Sequence, residues 1–142
     1  MPITVTGLPC LSDNYTWLLR APDGRMAICD PGEAGPVIAA VDAAGGRLDL
    51  ILLTHHHGDH VAGVPELVAR YGAKVMGAKA DAHRLPRLDV VVEPGQTVDV
   101  LGVPAEVLAS DGHTRGHIAY HFPECAIVLC GDTLFSLGCG RL

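Results

Sequence analysis

The hydrophobic residues of this chain fall into short runs separated by glycine and proline, a pattern typical of many short strands. The run Leu48–Leu53 is almost continuously apolar, as expected for a strand that is buried on both faces. The other runs predicted to form strands are Ile3–Leu8, Tyr15–Leu19, Met26–Cys29, Lys74–Met76, Val90–Val92, Thr97–Val100, Ala105–Leu108, Ile118–Phe122 and Ala126–Cys130.

Two segments carry apolar residues at helical spacing. Pro36–Ala44 has its larger apolar residues on one helical face, and two glycines follow it. A second helix is predicted to begin near Pro65, where the missing N–H costs little, and to end before Gly72. The stretch Ala78–Asp89 fits either a short helix or a loop. Strands come first, helices then alternate with strands, and more strands follow, so we expect a mixed sheet with helical cover.

Length, charge and cysteine content narrow the class of protein. The 142 residues suffice for one domain, and the formal charge of −6 offers no general attraction for nucleic acid or an anionic membrane. No transmembrane run is present, and Met1–Cys10 lacks the features of a signal peptide. Five cysteines without a Cys-x-x-Cys pair indicate reduced thiols. We therefore expect a cytoplasmic protein that binds neither nucleic acid nor membrane.

The sequence THHHGDH, residues 54–60, directly follows the predicted buried strand. At a strand end, the two-residue spacing of His55 and His57 directs both imidazoles the same way, whereas His56 is directed elsewhere. Ligand sites of open α/β sheets lie at the carboxyl ends of strands. A polar histidine-rich loop is the alternative interpretation, but four histidines and an aspartate at this position favour a metal site.

Further ligands are expected around these histidines. Asp59 and His60 follow where the chain turns, and they could reach a second ion beside the first. His113 lies in a glycine-flanked loop after a strand, and Asp132 follows another predicted strand, where its two oxygens could bridge two cations. Taken alone, each of these last two residues fits an ordinary turn position equally well.

Six segments together resemble a known family. THHHGDH (54–60), HTRGH (113–117) and GDTLF (131–135) resemble, in order, the motifs of the metallo-β-lactamase superfamily. LSDNY (11–15), DPGEA (30–34) and GCGR (138–141) are similar to segments of its glyoxalase II family. The resemblance spans the whole chain, and the first motif is highly specific. It implies an α/β (α+β) fold, the αββα sandwich with helices outside, of which residues 1–142 would form the N-terminal portion.

The resemblance also implies a site and a reaction. One metal would be bound by His55, His57 and His113, a second by Asp59 and His60, with Asp132 bridging both and Arg141 contacting glutathione. The cofactor would be two Zn²⁺ ions, with iron or manganese as alternatives. A metal-bound hydroxide, oriented by Asp59, would hydrolyse the thioester of S-(2-hydroxyacyl)glutathione, such as lactoylglutathione, to a 2-hydroxy acid and glutathione.

This chain resembles only the N-terminal part of the glyoxalase II proteins. Glyoxalase II proteins continue with a further histidine ligand and a mostly helical C-terminal region that completes the glutathione pocket. We therefore expect a truncated chain with an incomplete second sheet and exposed apolar surface. Two alternatives stay open: a persulfide dioxygenase with a single iron, and a catalytically silent metal-binding fragment that self-associates through an open sheet edge.

Overall fold

The computed structural model describes residues 3–10, 14–31, 33–54, 63–79, 88–109, 118–123, 127–130 and 133–136. Within these ranges the chain forms eleven strands and two helices. In chain order they are β1 (Thr4–Cys10), β2 (Asn14–Arg20), β3 (Met26–Cys29), α1 (Ala34–Ala43), β4 (Leu50–Leu52), α2 (Val64–Tyr71), β5 (Lys74–Ala78), β6 (Val90–Val92), β7 (Thr97–Val100), β8 (Val103–Ala109), β9 (Ile118–Phe122), β10 (Ile127–Cys130) and β11 (Thr133–Ser136).

The strands form two sheets. The first has the order β1-β2-β3-β4-β5-β6, with antiparallel pairing as far as β3 and parallel pairing from β3 to β6. The mixed sheet predicted from the sequence is thus confirmed. The second sheet has the order β11-β10-β9-β8-β7 and is antiparallel throughout. Its last strand, β11, was not predicted from the sequence pattern.

The two sheets pack face to face over a shared apolar core. Side chains from most strands of both sheets contribute to it, and Tyr120 and Phe122 are among its largest fully buried members. Strand β4 supplies residues to both of its faces: Leu52 lies in this core, whereas Ile51 lies in the core on the helix side. The prediction that this strand is buried on both faces is therefore confirmed.

Both helices cover the outer face of the first sheet, where they form the second core with it. As predicted, α2 has a proline in its first turn, and Gly72, with φ of 67°, ends it. Helix α1 begins at Ala34, two residues before the predicted start. Pro36 fits there because the first N–H groups of a helix have no intrahelical acceptor. Neither described helix has the length and apolar character needed to cross a membrane.

The outer face of the second sheet carries no helix among the described elements. Leu108 of β8 is 40% exposed, and its neighbour Val107 is buried against the first sheet, so Leu108 points outward. On the same face, Nδ1 of His121 lies 2.6 Å from Oε1 of Glu106 on the paired strand. The described layers are therefore helix, sheet and sheet, the N-terminal part of the predicted sandwich.

Candidate metal centre

All seven predicted site residues lie outside the described residues. They belong to segments 55–62, 110–117, 131–132 and 137–142. Among the residues that the structure does describe, no group of three or more His, Cys, Asp or Glu side chains could bind a metal ion. The structure does describe where the first three segments begin and end, and these attachment points lie together. The seven predicted site residues, all outside the described ranges, are His55, His57, Asp59, His60, His113, Asp132 and Arg141.

The segment with the first histidines leaves β4 through Thr54, which is fully buried. The Thr54 N–H donates a hydrogen bond to Oδ1 of Asp30 at 2.9 Å, and the Thr54 hydroxyl donates to Oδ2 at 2.6 Å. Asp30 follows β3, the neighbour of β4 in the sheet, and is 1% exposed. Both carboxylate oxygens therefore fix the residue that precedes His55.

The same residue joins two of the segments. The Thr54 carbonyl oxygen accepts a hydrogen bond from the N–H of Ile118 at 2.9 Å. Thr54 immediately precedes segment 55–62, and Ile118 immediately follows segment 110–117, which contains His113. The first two groups of predicted ligands therefore leave and enter the described fold at adjacent backbone positions.

The far end of segment 55–62 is attached to the same turn. The N–H of Gly63 donates to the Pro31 carbonyl oxygen at 2.8 Å. A Cβ atom at Gly63 would lie 2.8 Å from the Pro31 oxygen and 2.8 Å from the carbonyl carbon of Glu33. These are backbone atoms that cannot swing aside, so this contact requires glycine.

Asp132 belongs to the two-residue connection between β10 and β11, whose end residues Cys130 and Thr133 are paired. In the second sheet, Leu129 of β10 pairs with Tyr120 of β9. Because these strands are antiparallel, the carboxyl end of β10 lies beside the amino end of β9, which begins at Ile118. The third predicted segment therefore leaves the fold at the same sheet end.

A buried tyrosine of the second sheet is hydrogen-bonded to the backbone of the first sheet at this end of the sandwich. The Tyr120 hydroxyl donates a hydrogen bond to the Leu53 carbonyl oxygen at 2.9 Å. Burial raises the pKa of Tyr120 well above its usual value, and the nearby Cys29 and Asp30 raise it further. The phenol is therefore neutral at physiological pH and remains a hydrogen-bond donor. The Cys29 thiol in turn lies 3.7 Å from Oδ2 of Asp30.

Sequence reasoning did not assign Asp30, Thr54 or Tyr120 to the site. In the sequence, Asp30 begins DPGEA and Thr54 begins THHHGDH. A signal was available for Asp30, because it directly follows the wholly apolar run Met26–Cys29 at the end of a strand. A carboxylate in that position must be paired if it is buried.

The residues present fit a metal site by their chemistry and by the placement of their attachment points. The predicted donors are imidazole nitrogens and carboxylate oxygens, which bind zinc, iron and manganese. They are distributed over three segments, and the described ends of those segments converge on Asp30, Thr54 and the start of β9. Such convergence is necessary if residues distant in sequence are to share one site.

Comparison with known proteins shows which family and which fold this chain is similar to. The sequence profile of the metallo-beta-lactamase superfamily matches residues 12–142. The chain is 55% identical over 139 residues to a hydroxyacylglutathione hydrolase of Acidiphilium cryptum, a match that covers 98% of this chain and 56% of that protein. It is 51% identical over 143 residues to a hydroxyacylglutathione hydrolase of Cereibacter sphaeroides, covering 100% of this chain and 56% of the relative. The chain thus spans about half the length of the curated relatives it matches.

A solved structure shows the same fold at lower sequence identity. The crystal structure of the B3 metallo-beta-lactamase BLEG-1 superimposes with a TM-score of 0.79 and 19% identity, covering 94% of this chain and 71% of that chain. At this identity the similarity concerns the fold alone. It confirms that the two packed sheets and the outer helices form part of the αββα sandwich predicted from the motifs.

Proposed function

This chain belongs to the metallo-beta-lactamase superfamily, and from that premise we propose that it carries the metal site of a thioester hydrolase. The observation that supports this most strongly is the 55% identity to a hydroxyacylglutathione hydrolase over 98% of the chain. The convergence of three segment ends on Thr54 and the start of β9 also supports it. One cation would be bound by His55, His57 and His113, and a second by Asp59 and His60, with Asp132 between them.

The proposed substrate is an S-(2-hydroxyacyl)glutathione, which hydrolysis would convert into a 2-hydroxy acid and glutathione. The name of the relatives supports this substrate class. Arg141 is proposed to contact the glutathione part through its guanidinium, which matches the geometry of a carboxylate. We place the reaction in the cytoplasm, where the five cysteines of the chain would stay reduced.

In this reaction the side chains of the protein would hold the cations and orient the attacking water. The divalent cations that the proposed ligands would hold would supply a nucleophilic water near neutral pH and an electrophile for the carbonyl oxygen. Asp59 is proposed to accept a hydrogen bond from that water and so to direct it at the thioester carbon. The departing glutathione thiolate is stable, because an ordinary thiol has a pKa of about 8.5. No strong general acid is therefore needed.

The choice of metal follows from the donor set. Imidazole and carboxylate ligands bind Zn²⁺ well and also accept iron or manganese. The first cation would be held by the three imidazoles of His55, His57 and His113, to which the shared Asp132 would add a carboxylate oxygen. The Asp59 and His60 side has fewer donors within this chain, so we expect its cation to bind more weakly.

Two histidine variants test the ligand assignment. His55→Ala should lower the bound zinc and the affinity for it, whereas the adjacent His56→Ala should leave both unchanged. Metal content is measured by atomic emission, and affinity by competition with a chromophoric chelator. The same preparations are then tested for release of glutathione from S-lactoylglutathione with added zinc. Equal metal binding by wild type and His55→Ala would show that the ligand set is wrong.

A second candidate function is metal binding without turnover. Under this alternative the chain binds zinc but releases no glutathione. Turnover by this chain, with no longer species present in mass spectra, would exclude it. A single bound iron together with oxygen consumption would instead contradict the hydrolase and indicate the persulfide dioxygenase.

A further inference from the structure

We propose that Thr54 and Asp30 are positioning residues for the metal ligands. In this role, the hydrogen-bonded pair of Asp30 and Thr54 determines where the segment with His55 leaves β4. The Thr54 carbonyl oxygen also links this segment to the end of the segment with His113. The inference rests on the proposed metal site, but it does not depend on the proposed substrate. Neither residue is itself a ligand in the proposed set.

Thr54 makes hydrogen bonds through all three of its polar groups. Its N–H and hydroxyl both donate to the Asp30 carboxylate, and its carbonyl oxygen accepts from Ile118. Thr54 is 0% exposed and Asp30 is 1% exposed. In a buried environment a hydrogen bond is electrostatically stronger than in water.

Asp30 itself has an uncommon backbone conformation. Its φ is 53°, in the left-handed region that most residues other than glycine avoid. Such conformations persist where the surroundings determine them several times over, and they concentrate at functional sites. Here the Asp30 N–H donates to the Leu52 carbonyl oxygen at 2.9 Å while its carboxylate binds Thr54.

The turn after β3 therefore determines both ends of segment 55–62. Asp30 binds Thr54 at the start of the segment, and Pro31 accepts the hydrogen bond from Gly63 at its end. Four of the six proposed ligands belong to this segment. A change at the turn would shift the base of the segment, and with it the geometry in which its side chains meet a cation.

Removing a group that orients metal ligands typically lowers metal affinity about 10–100-fold. Thr54→Val keeps the shape of the side chain and removes its hydroxyl, so we expect a loss of zinc affinity in this range. Thr54→Ser restores the hydroxyl and should restore the affinity. The d–d absorption spectrum of bound Co²⁺ should change in Thr54→Val and return in Thr54→Ser, because it reports the arrangement of the ligands.

Thr16→Val is the matched control. Thr16 is also 0% exposed, and its hydroxyl donates a hydrogen bond of 2.7 Å to the Cys29 carbonyl oxygen. Both valine variants therefore lose one buried threonine hydroxyl, but only Thr54 adjoins a ligand segment. Both should lower the unfolding temperature of the metal-free chain, whereas only Thr54→Val should weaken zinc binding and alter the Co²⁺ spectrum.

Several results would overturn this role. They are wild-type zinc affinity and Co²⁺ spectrum in Thr54→Val, an equal loss of affinity in Thr16→Val, or a wild-type chain that binds no cation. If Thr54→Val does not fold, Asp30→Asn is measured in the same way, with the same expected loss of affinity. A wild-type chain that binds zinc but hydrolyses no thioester contradicts only the proposed activity.

Discussion

The hydroxyl of Tyr120 donates a hydrogen bond across the sandwich to the carbonyl oxygen of Leu53, at a distance of 2.9 Å. Tyr120 lies in β9 of the second sheet, and Leu53 directly follows β4 of the first. Both residues are 0% exposed. This bond therefore joins the two sheets one residue before Thr54, below the candidate metal centre.

Tyr120→Phe should destabilise the protein with little change in packing. The substitution leaves the buried Leu53 carbonyl without this donor, which costs about 1–3 kcal/mol. Urea unfolding at neutral pH measures the difference. Tyr71→Phe is the control, because the Tyr71 hydroxyl lies at the protein surface, and it should cost less. An equal effect of both variants would show that the cross-sheet bond contributes nothing of its own.

The stability of the protein should also fall at alkaline pH through Tyr120. Its folded-state pKa is raised above the ordinary value of 10.0, chiefly by burial. The neutral phenol is therefore favoured by the fold, so its contribution is complete below the unfolded-state pKa and is lost as pH rises through the folded-state pKa. In Tyr120→Phe, unfolding free energy should decline less steeply above about pH 10. Parallel pH profiles of variant and wild type would contradict this.

Gly63→Ala should disturb the end of the histidine segment. The added Cβ would lie 2.8 Å from backbone atoms of Pro31 and Glu33. We expect a destabilisation of about 1–3 kcal/mol, as for other overpacked sites, together with weaker zinc binding. Gly35→Ala is the matched control, because no atom lies within 4 Å of the new methyl group. That change should stabilise α1 by up to about 1 kcal/mol.

A surface cluster of Asp42, Arg70 and Tyr71 connects the two helices. Asp42 accepts hydrogen bonds from Nη2 of Arg70 at 2.6 Å and from the Tyr71 hydroxyl at 2.7 Å. The bond from Tyr71, followed by that from Arg70, lowers the pKa of Asp42. A carboxyl with a lowered folded-state pKa stabilises the protein above its unfolded-state value and loses this effect as pH falls.

Asp42→Asn should therefore lower the urea midpoint slightly at neutral pH and low salt. The difference from wild type should shrink as pH falls below the ordinary pKa of 3.8. Added salt should reduce it as well, because the charged side chains of Asp42 and Arg70 are exposed to solvent. A difference that persists unchanged at acidic pH would mean that the carboxylate charge plays no part.

Local patterns predicted most of the elements, because local physics determines them. Pro65 and Gly72 set the ends of α2, and the apolar run around Ile51 gave a strand buried on both faces. The division into two sheets did not follow from residue order, which indicated one mixed sheet and no β11. Which sheet a strand joins depends on partners elsewhere in the chain, and periodicity does not report them.

The same limit applies to the site. Residue type and spacing were enough to predict a metal centre at residues 55–60, and these ligand assignments stay predictions. The supporting contacts connect residues far apart in sequence: Asp30 and Thr54 are 24 positions apart, and Tyr120 and Leu53 are 67 apart. No local pattern indicates such pairs, so Thr54 and Tyr120 were identified only in the folded structure.

In each sheet, hydrogen-bonded neighbours are consecutive along the chain, and every strand of the first sheet precedes every strand of the second. During synthesis, the first sheet can therefore assemble before β7 leaves the ribosome. Its inner face, with Leu52 and Met76, would then meet water until the second sheet covers it. Ribosome-bound chains in which β1 to β6, but not β7, have left the ribosome should bind chaperones or hydrophobic dyes more strongly than the finished chain. Equal binding would indicate that the two sheets form together.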